Sequence, residues 1–267
     1  MATVAGPRVE DFGRAQPEAP LVRAIDRWIF VFMAALFIVV TLTGFIPDAL
    51  GKIAAVKAGQ RPPFPLVLHF HAVLMGSFLL LLLAQTTLMA LGKSRRHQWL
   101  GRAAILLVPA IVVVGFILVP TIYRSFWNAA RTAPQLGQVL PVLDDIMLLQ
   151  LRIGILFPLF IALALLARRT DPAFHKRMMI LGTAPPLAAA VDRIDWLPTT
   201  MPVSPMGSDL YILALVSPMF VWDLARRRAV PAAYVVWFGI CALVSIPVYA
   251  LWDKPWWHST VPRLLGL

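Results

Sequence analysis

Residues 66–102 read LVLHFHAVLMGSFLLLLLAQTTLMALGKSRRHQWLGR: two histidines, a long apolar run, a basic turn and a third histidine. From Leu66 to Leu91, 26 consecutive residues carry no charge. Roughly 20 residues at about 1.5 Å rise each cross the hydrocarbon core of a bilayer, so the run predicts a transmembrane helix. The turn Lys93–His97 marks one membrane face, and the rest of the chain can be oriented from it.

The composition agrees. The chain is 60% hydrophobic and 14% charged, with mean hydropathy +0.78, whereas about a quarter of a soluble domain is charged. The formal net charge of +11 sits in short clusters between apolar runs, with no basic and aromatic interleaving on a soluble face. Anionic lipid headgroups are therefore the expected counter-charge, and nucleic acid is not an expected partner. A single cysteine, Cys241, excludes an intrachain disulfide and any site built on several thiolates.

Taken in order, residues 1–22 are rich in Pro, Ala and charge and predict a disordered cytoplasmic tail without the layout of a signal peptide. An all-α bundle of about seven spans is expected over residues 23–252. The spans run near Ile29–Ile46, Leu66–Leu91, Ala103–Ile122, Ile146–Ala167, Met178–Trp196, Leu210–Leu224 and Ala232–Trp252. The fifth is the weakest, because it contains Pro185-Pro186 and ends in charge. Residues 253–267 form a Trp-rich tail whose Trp256 and Trp257 suit the headgroup level.

Lys and Arg fix the expected orientation. Fifteen fall in the N-terminal tail and in the turns after spans two, four and six; seven fall in the alternate loops. The positive-inside rule then puts the N-terminus in the cytoplasm and the C-terminus outside a bacterial plasma membrane. A short internal repeat has the same layout. LLLAQTTLMALGKSRRHQWLGRAAI and LFIALALLARRTDPAFHKRMMILGT align with His97 on His175, as a duplicated helix pair would.

Polar residues inside spans are costly and point to function. His71 lies about five residues into span two, or roughly 8 Å from its outer end. Arg152 follows Asp145 by seven residues, on the same helix face. Together with His69, Asp144, Asp192, Arg193 and Asp209, these residues are expected at the outer end. One reading is a single pocket in which His71, Asp145 and Asp192 hold a metal and Arg152 and Arg193 anchor an anionic group. Another is that the arginines neutralise Asp145 and Asp192 in buried ion pairs, and a third is interfacial snorkelling. His69 and His71, at i and i+2, can share an ion only where the backbone is extended.

His97 and His175 form a second set at the cytoplasmic face. If the helices they open are neighbours, the two imidazoles could face one haem iron. An ordinary interfacial role in a Lys/Arg turn is the alternative. His71, at the opposite face, cannot complete that pair.

The sequence His71…Gln85…His97-Gln-Trp-Leu-Gly-Arg, then Asp145, His175-Lys-Arg-Met-Met and Arg193, resembles a bacterial family of multi-pass membrane proteins built on a domain of unknown function. The resemblance covers about residues 66–195. More distantly, the His-bearing turns are similar to those of cytochrome b561-type haem proteins and of small proteins of terminal-oxidase assembly. That likeness implies redox or cofactor chemistry. The chain departs from the four-span b561 pattern in that its histidines are not evidently paired across helices at both membrane faces.

The leading functional expectation is a membrane protein that binds a metal, haem or small redox-active ligand in the outer His/Asp/Arg pocket. A proton-coupled transporter and an assembly or structural subunit of a larger membrane complex are the alternatives. The sequence identifies no nucleophile or acid–base pair that would make it an enzyme.

Overall fold

The computed structural model describes residues 19–267, and they are helical throughout, joined by turns and short loops. The tail expected over residues 1–22 falls outside the described residues as far as residue 18, while Pro20–Val22 already belong to the first helix. The elements are α1 (Pro20–Lys57), α2 (Leu66–Ala90), α3 (Ser94–Gly101), α4 (Ala103–Ala130), α5 (Leu140–Ala167), α6 (Pro172–Thr183), α7 (Ala188–Val191), α8 (Met206–Arg227), α9 (Ala232–Leu251) and α10 (Pro255–Leu264). Six of the helical stretches are long and apolar enough to cross a membrane: α1, α2, α3 with α4, the 3-10 turn at Pro134–Val139 with α5, α8, and α9. Large apolar side chains such as Leu42, Leu80, Leu106, Val113, Phe238 and Leu243 stay exposed along them. A lipid bilayer is the solvent that suits such a surface.

Several helices outrun their sequence-predicted limits. The first was expected to stop at Pro47 but continues to Lys57, its extra turns carrying an Asp48–Lys52 ion pair at i, i+4 (2.6 Å). The third was expected to end at Ile122 but continues to Ala130. These extensions lie beyond the hydrophobic windows that hydropathy detects.

The fifth expected span is broken. Pro185 and Pro186 lack the N–H that would extend α6, so a 3-10 turn, Pro185–Leu187, separates α6 from α7. At the start of α6, Asp171 caps the helix by accepting from the Phe174 N–H (2.9 Å), with Pro172 in the first turn. The segment nevertheless runs the length of the bundle, from Arg177 bound to Asp223 at one end to Arg193 on Asp48 at the other.

This segment is the bundle's central element. Met178, Ile180, Leu181 and Ala184 are fully buried against Phe37, Phe160, Met219 and Trp237 of four other helices. Its low hydropathy follows from that position: a helix sheathed by other helices needs small and complementary residues rather than uniform apolarity. Close approach is explicit at Gly44, where a Cβ would fall 2.0 Å from the Ala190 carbonyl oxygen, and at Gly182, where it would fall 2.7 Å from Phe160 Cβ.

The C-terminal tail folds back as α10. Of the two rings expected at the headgroup level, Trp256 is exposed. Trp257 is buried, and its indole N–H donates to the Asp144 carbonyl (2.7 Å).

Candidate functional site

Polar side chains gather at the two ends of the bundle. One end is basic and joins the start of α1, the α2–α3 turn, the start of α6 and the end of α8. There His97 and His175, 78 residues apart in sequence, lie with ring centroids 6.5 Å apart and planes at 78°. The His175 Nδ1 is 2.8 Å from the Ala164 carbonyl oxygen; the His97 Nδ1 faces the Gln85 carbonyl oxygen more loosely, at 3.4 Å. A carbonyl can only accept, so Nδ1 carries the hydrogen in each ring and Nε2 keeps the lone pair. This is the arrangement that metal-ligating imidazoles adopt.

Gln85 belongs to the same neighbourhood. Its side-chain oxygen and nitrogen are both buried without a hydrogen-bond partner, and a Cβ at Gly101, four residues after His97, would lie 3.2 Å from that nitrogen. Burying an unsatisfied amide is costly, so such a group usually serves something besides packing.

Beside this pair, a buried ion pair locks α6 to α8. The Arg177 guanidinium donates through Nε (2.7 Å) and Nη2 to the two oxygens of Asp223, and the Tyr234 hydroxyl donates to the same carboxylate (2.7 Å). Further out, Arg226 and the Trp222 indole hold Asp26 of α1. A cleft of about 300 Å³ opens between Asp26, Phe30, Lys176, Arg177, Trp222 and Arg226.

At the opposite end, the residues expected in one pocket have separate partners. Arg152 is buried and makes a bidentate pair with Asp209 (2.7 and 2.8 Å), supported by Ser245 and by Tyr249 donating to the same carboxylate. Arg193 pairs with Asp48 of α1 (3.2 Å) and lies over the Phe45 ring. Asp192 accepts from the Ser208 hydroxyl and lines a cleft of about 200 Å³ with Asp195, Thr199 and Tyr211.

Ion pairing therefore takes up both arginines, but with partners other than Asp145 and Asp192. In a bundle, a carboxylate at the same depth on a neighbouring helix outcompetes one two turns away on the same helix. His69 and His71 do not converge either, because α2 is already helical there. His69 is exposed beside the Phe64 ring, and His71 packs against α4 at Gly115 with a buried, unpartnered Nδ1. His71, Asp145 and Asp192 thus share no common ligand position.

Asp145 instead joins residues that the sequence reading left aside. Its carboxylate accepts from the Asp253 N–H (3.0 Å), and ligand atoms of Asp145, Asp253 and His258 lie within 4.8 Å of one another. Among the described residues this is the one such group of three. Asp144, the adjacent residue, holds His258 through Nδ1 (3.1 Å). No local spacing signals this cluster, since 114 residues separate Asp144 from His258.

No family model, curated protein or solved structure matches this chain.

Proposed function

We propose that this is a seven-span membrane protein that holds a redox-active metal centre, haem iron or a single transition-metal ion, between His97 and His175. The observation that carries the reading is the pair of imidazoles with each Nδ1 committed to a backbone carbonyl. The ring centroids lie 6.5 Å apart, so both residues could hold one metal ion. The surrounding basic residues suit an anionic cofactor periphery, and the resemblance of the His-bearing turns to b561-type proteins agrees. Were a haem or metal bound there, His97 and His175 would hold it, and it would supply electron-transfer chemistry.

In this reading α6 and α7 together form the seventh span, the N-terminus is cytoplasmic and the C-terminus is outside. The His97–His175 end then faces the cytoplasm of a bacterial cell. The outer-pocket reading is set second, because Arg152 and Arg193 pair with Asp209 and Asp48 and His71 does not group with Asp145 and Asp192. Transport through the broken span is also disfavoured, because the break is tightly packed around Gly44 and Ala190.

The test is an absorption spectrum with elemental analysis on detergent-purified protein, wild type beside His97→Ala, His175→Ala and His71→Ala. A Soret band or a stoichiometric metal lost in the first two variants and kept in the third is expected. Colourless, metal-free protein from cells supplied with haem and metals would overturn the proposal, as would loss in His71→Ala alone.

A further inference from the structure

We infer that Asp145, Asp253 and His258 form a second, independent metal site at the end of the bundle opposite His97 and His175, taking a divalent first-row transition ion of the manganese-to-zinc series. Three elements build it: the first turns of α5 supply Asp144 and Asp145, the turn after α9 supplies Asp253, and α10 supplies His258. The ligand atoms of Asp145, Asp253 and His258 lie within 4.8 Å of one another, as ligands around one ion must.

The imidazole is oriented for the task. Asp144 Oδ2 lies 3.1 Å from His258 Nδ1, so Nδ1 carries the hydrogen and Nε2 faces Asp253 Oδ1 at 3.5 Å. This is a carboxylate–histidine–metal arrangement, in which the outer carboxylate fixes the tautomer and ring angle. Nε2 itself is buried and makes no hydrogen bond.

A second observation separates the site from an ordinary acidic cluster. His258 Nε2, buried and without a hydrogen bond, faces the Asp253 carboxylate, and the Asp144 that holds the ring is only 3% exposed. The Tyr123 hydroxyl, on a residue 2% exposed, lies against the Asp144 carboxylate, whose Oδ2 faces His258. Three carboxylates thus meet one imidazole, two of them in buried residues, with the ring's Nε2 left without a hydrogen bond. A divalent cation would compensate that charge. The mixed nitrogen and oxygen donor set favours Mn²⁺, Fe²⁺ or Zn²⁺ over Ca²⁺ or Mg²⁺, which prefer oxygen alone.

The experiment uses full-length protein in detergent, stripped with a chelator and titrated with Mn²⁺ followed by electron paramagnetic resonance, and with Zn²⁺ followed by calorimetry. Wild type is expected to bind one ion per chain at this site, in addition to any ion held between His97 and His175. His258→Ala and Asp145→Asn should weaken binding at least tenfold, and Asp144→Asn, acting through the ring orientation, by about 10–100-fold. Asp253→Asn keeps the test open if a buried substitution impairs folding, because that side chain is 85% exposed; it too should weaken binding at least tenfold. His97→Ala should leave this binding unchanged, which separates the site from the centre proposed at the basic end. Sub-stoichiometric binding to wild type, retention in Asp253→Asn, or equal competition by Ca²⁺ or Mg²⁺ would overturn the assignment.

Discussion

Replacing Asp223 by alanine is the most severe single test of how this bundle is held. The carboxylate, 6% exposed, accepts from two nitrogens of Arg177 and from the Tyr234 hydroxyl. Arg177 is 3% exposed, and without Asp223 its remaining hydrogen bond is one to the Ala173 carbonyl (2.8 Å). Breaking a buried pair from one side strands a charge and costs about 3–5 kcal/mol. For a chain of this size about 2–4 °C of Tm accompanies each kcal/mol, so a fall of roughly 6–20 °C is expected in detergent thermal melts. Asp26→Ala gives the scale for comparison. Its pair with Arg226 is more than a third exposed on the aspartate side, and exposed pairs contribute up to about 1 kcal/mol. The double replacement Arg177→Met with Asp223→Leu should recover most of the loss, because it removes both charges together. If Asp223→Ala melts no lower than Asp26→Ala, the network is not what joins α6 to α8.

Two further outcomes test the fold. Gly44→Val should destabilise by about 1–3 kcal/mol or more, because its Cβ meets backbone rather than a movable side chain; an unchanged melting temperature would refute the close α1–α7 contact. In a Cys241→Ser background, Arg95→Cys should react with a membrane-impermeant thiol reagent only from the cytoplasmic side and Lys254→Cys only from outside; labelling of both from one side would eliminate the seven-span topology.

The lipid-facing spans were legible because the bilayer imposes composition directly. Leu66–Ala90 and Ala232–Leu251 each match the sequence-predicted run to within one residue. The segment from Met178 to Trp196 reads weakest, and burial explains it. Its residues answer to Phe37, Phe160 and Trp237 rather than to lipid, so they include Gly182 and two consecutive prolines. Hydropathy measures what faces the solvent, and here the solvent is absent.

The two ends differ in legibility for a related reason. His97 and His175 could be anticipated as a pair because a repeated hairpin placed each at the same position of a basic turn, and symmetry carried the information across 78 residues. No repeat links the opposite end. Arg152 suggested Asp145, its neighbour along one helix, but found Asp209 on another at the same depth. Asp145 was thereby released to Asp253 and His258. That exchange of partners is what makes the second site: with Arg152 neutralised elsewhere, the adjacent carboxylates of Asp144 and Asp145 meet an imidazole instead of a guanidinium. With its Nδ1 turned to Asp144, the His258 ring presents Nε2 to Asp253, so Asp145 is left beside a ligand atom rather than in a structural ion pair.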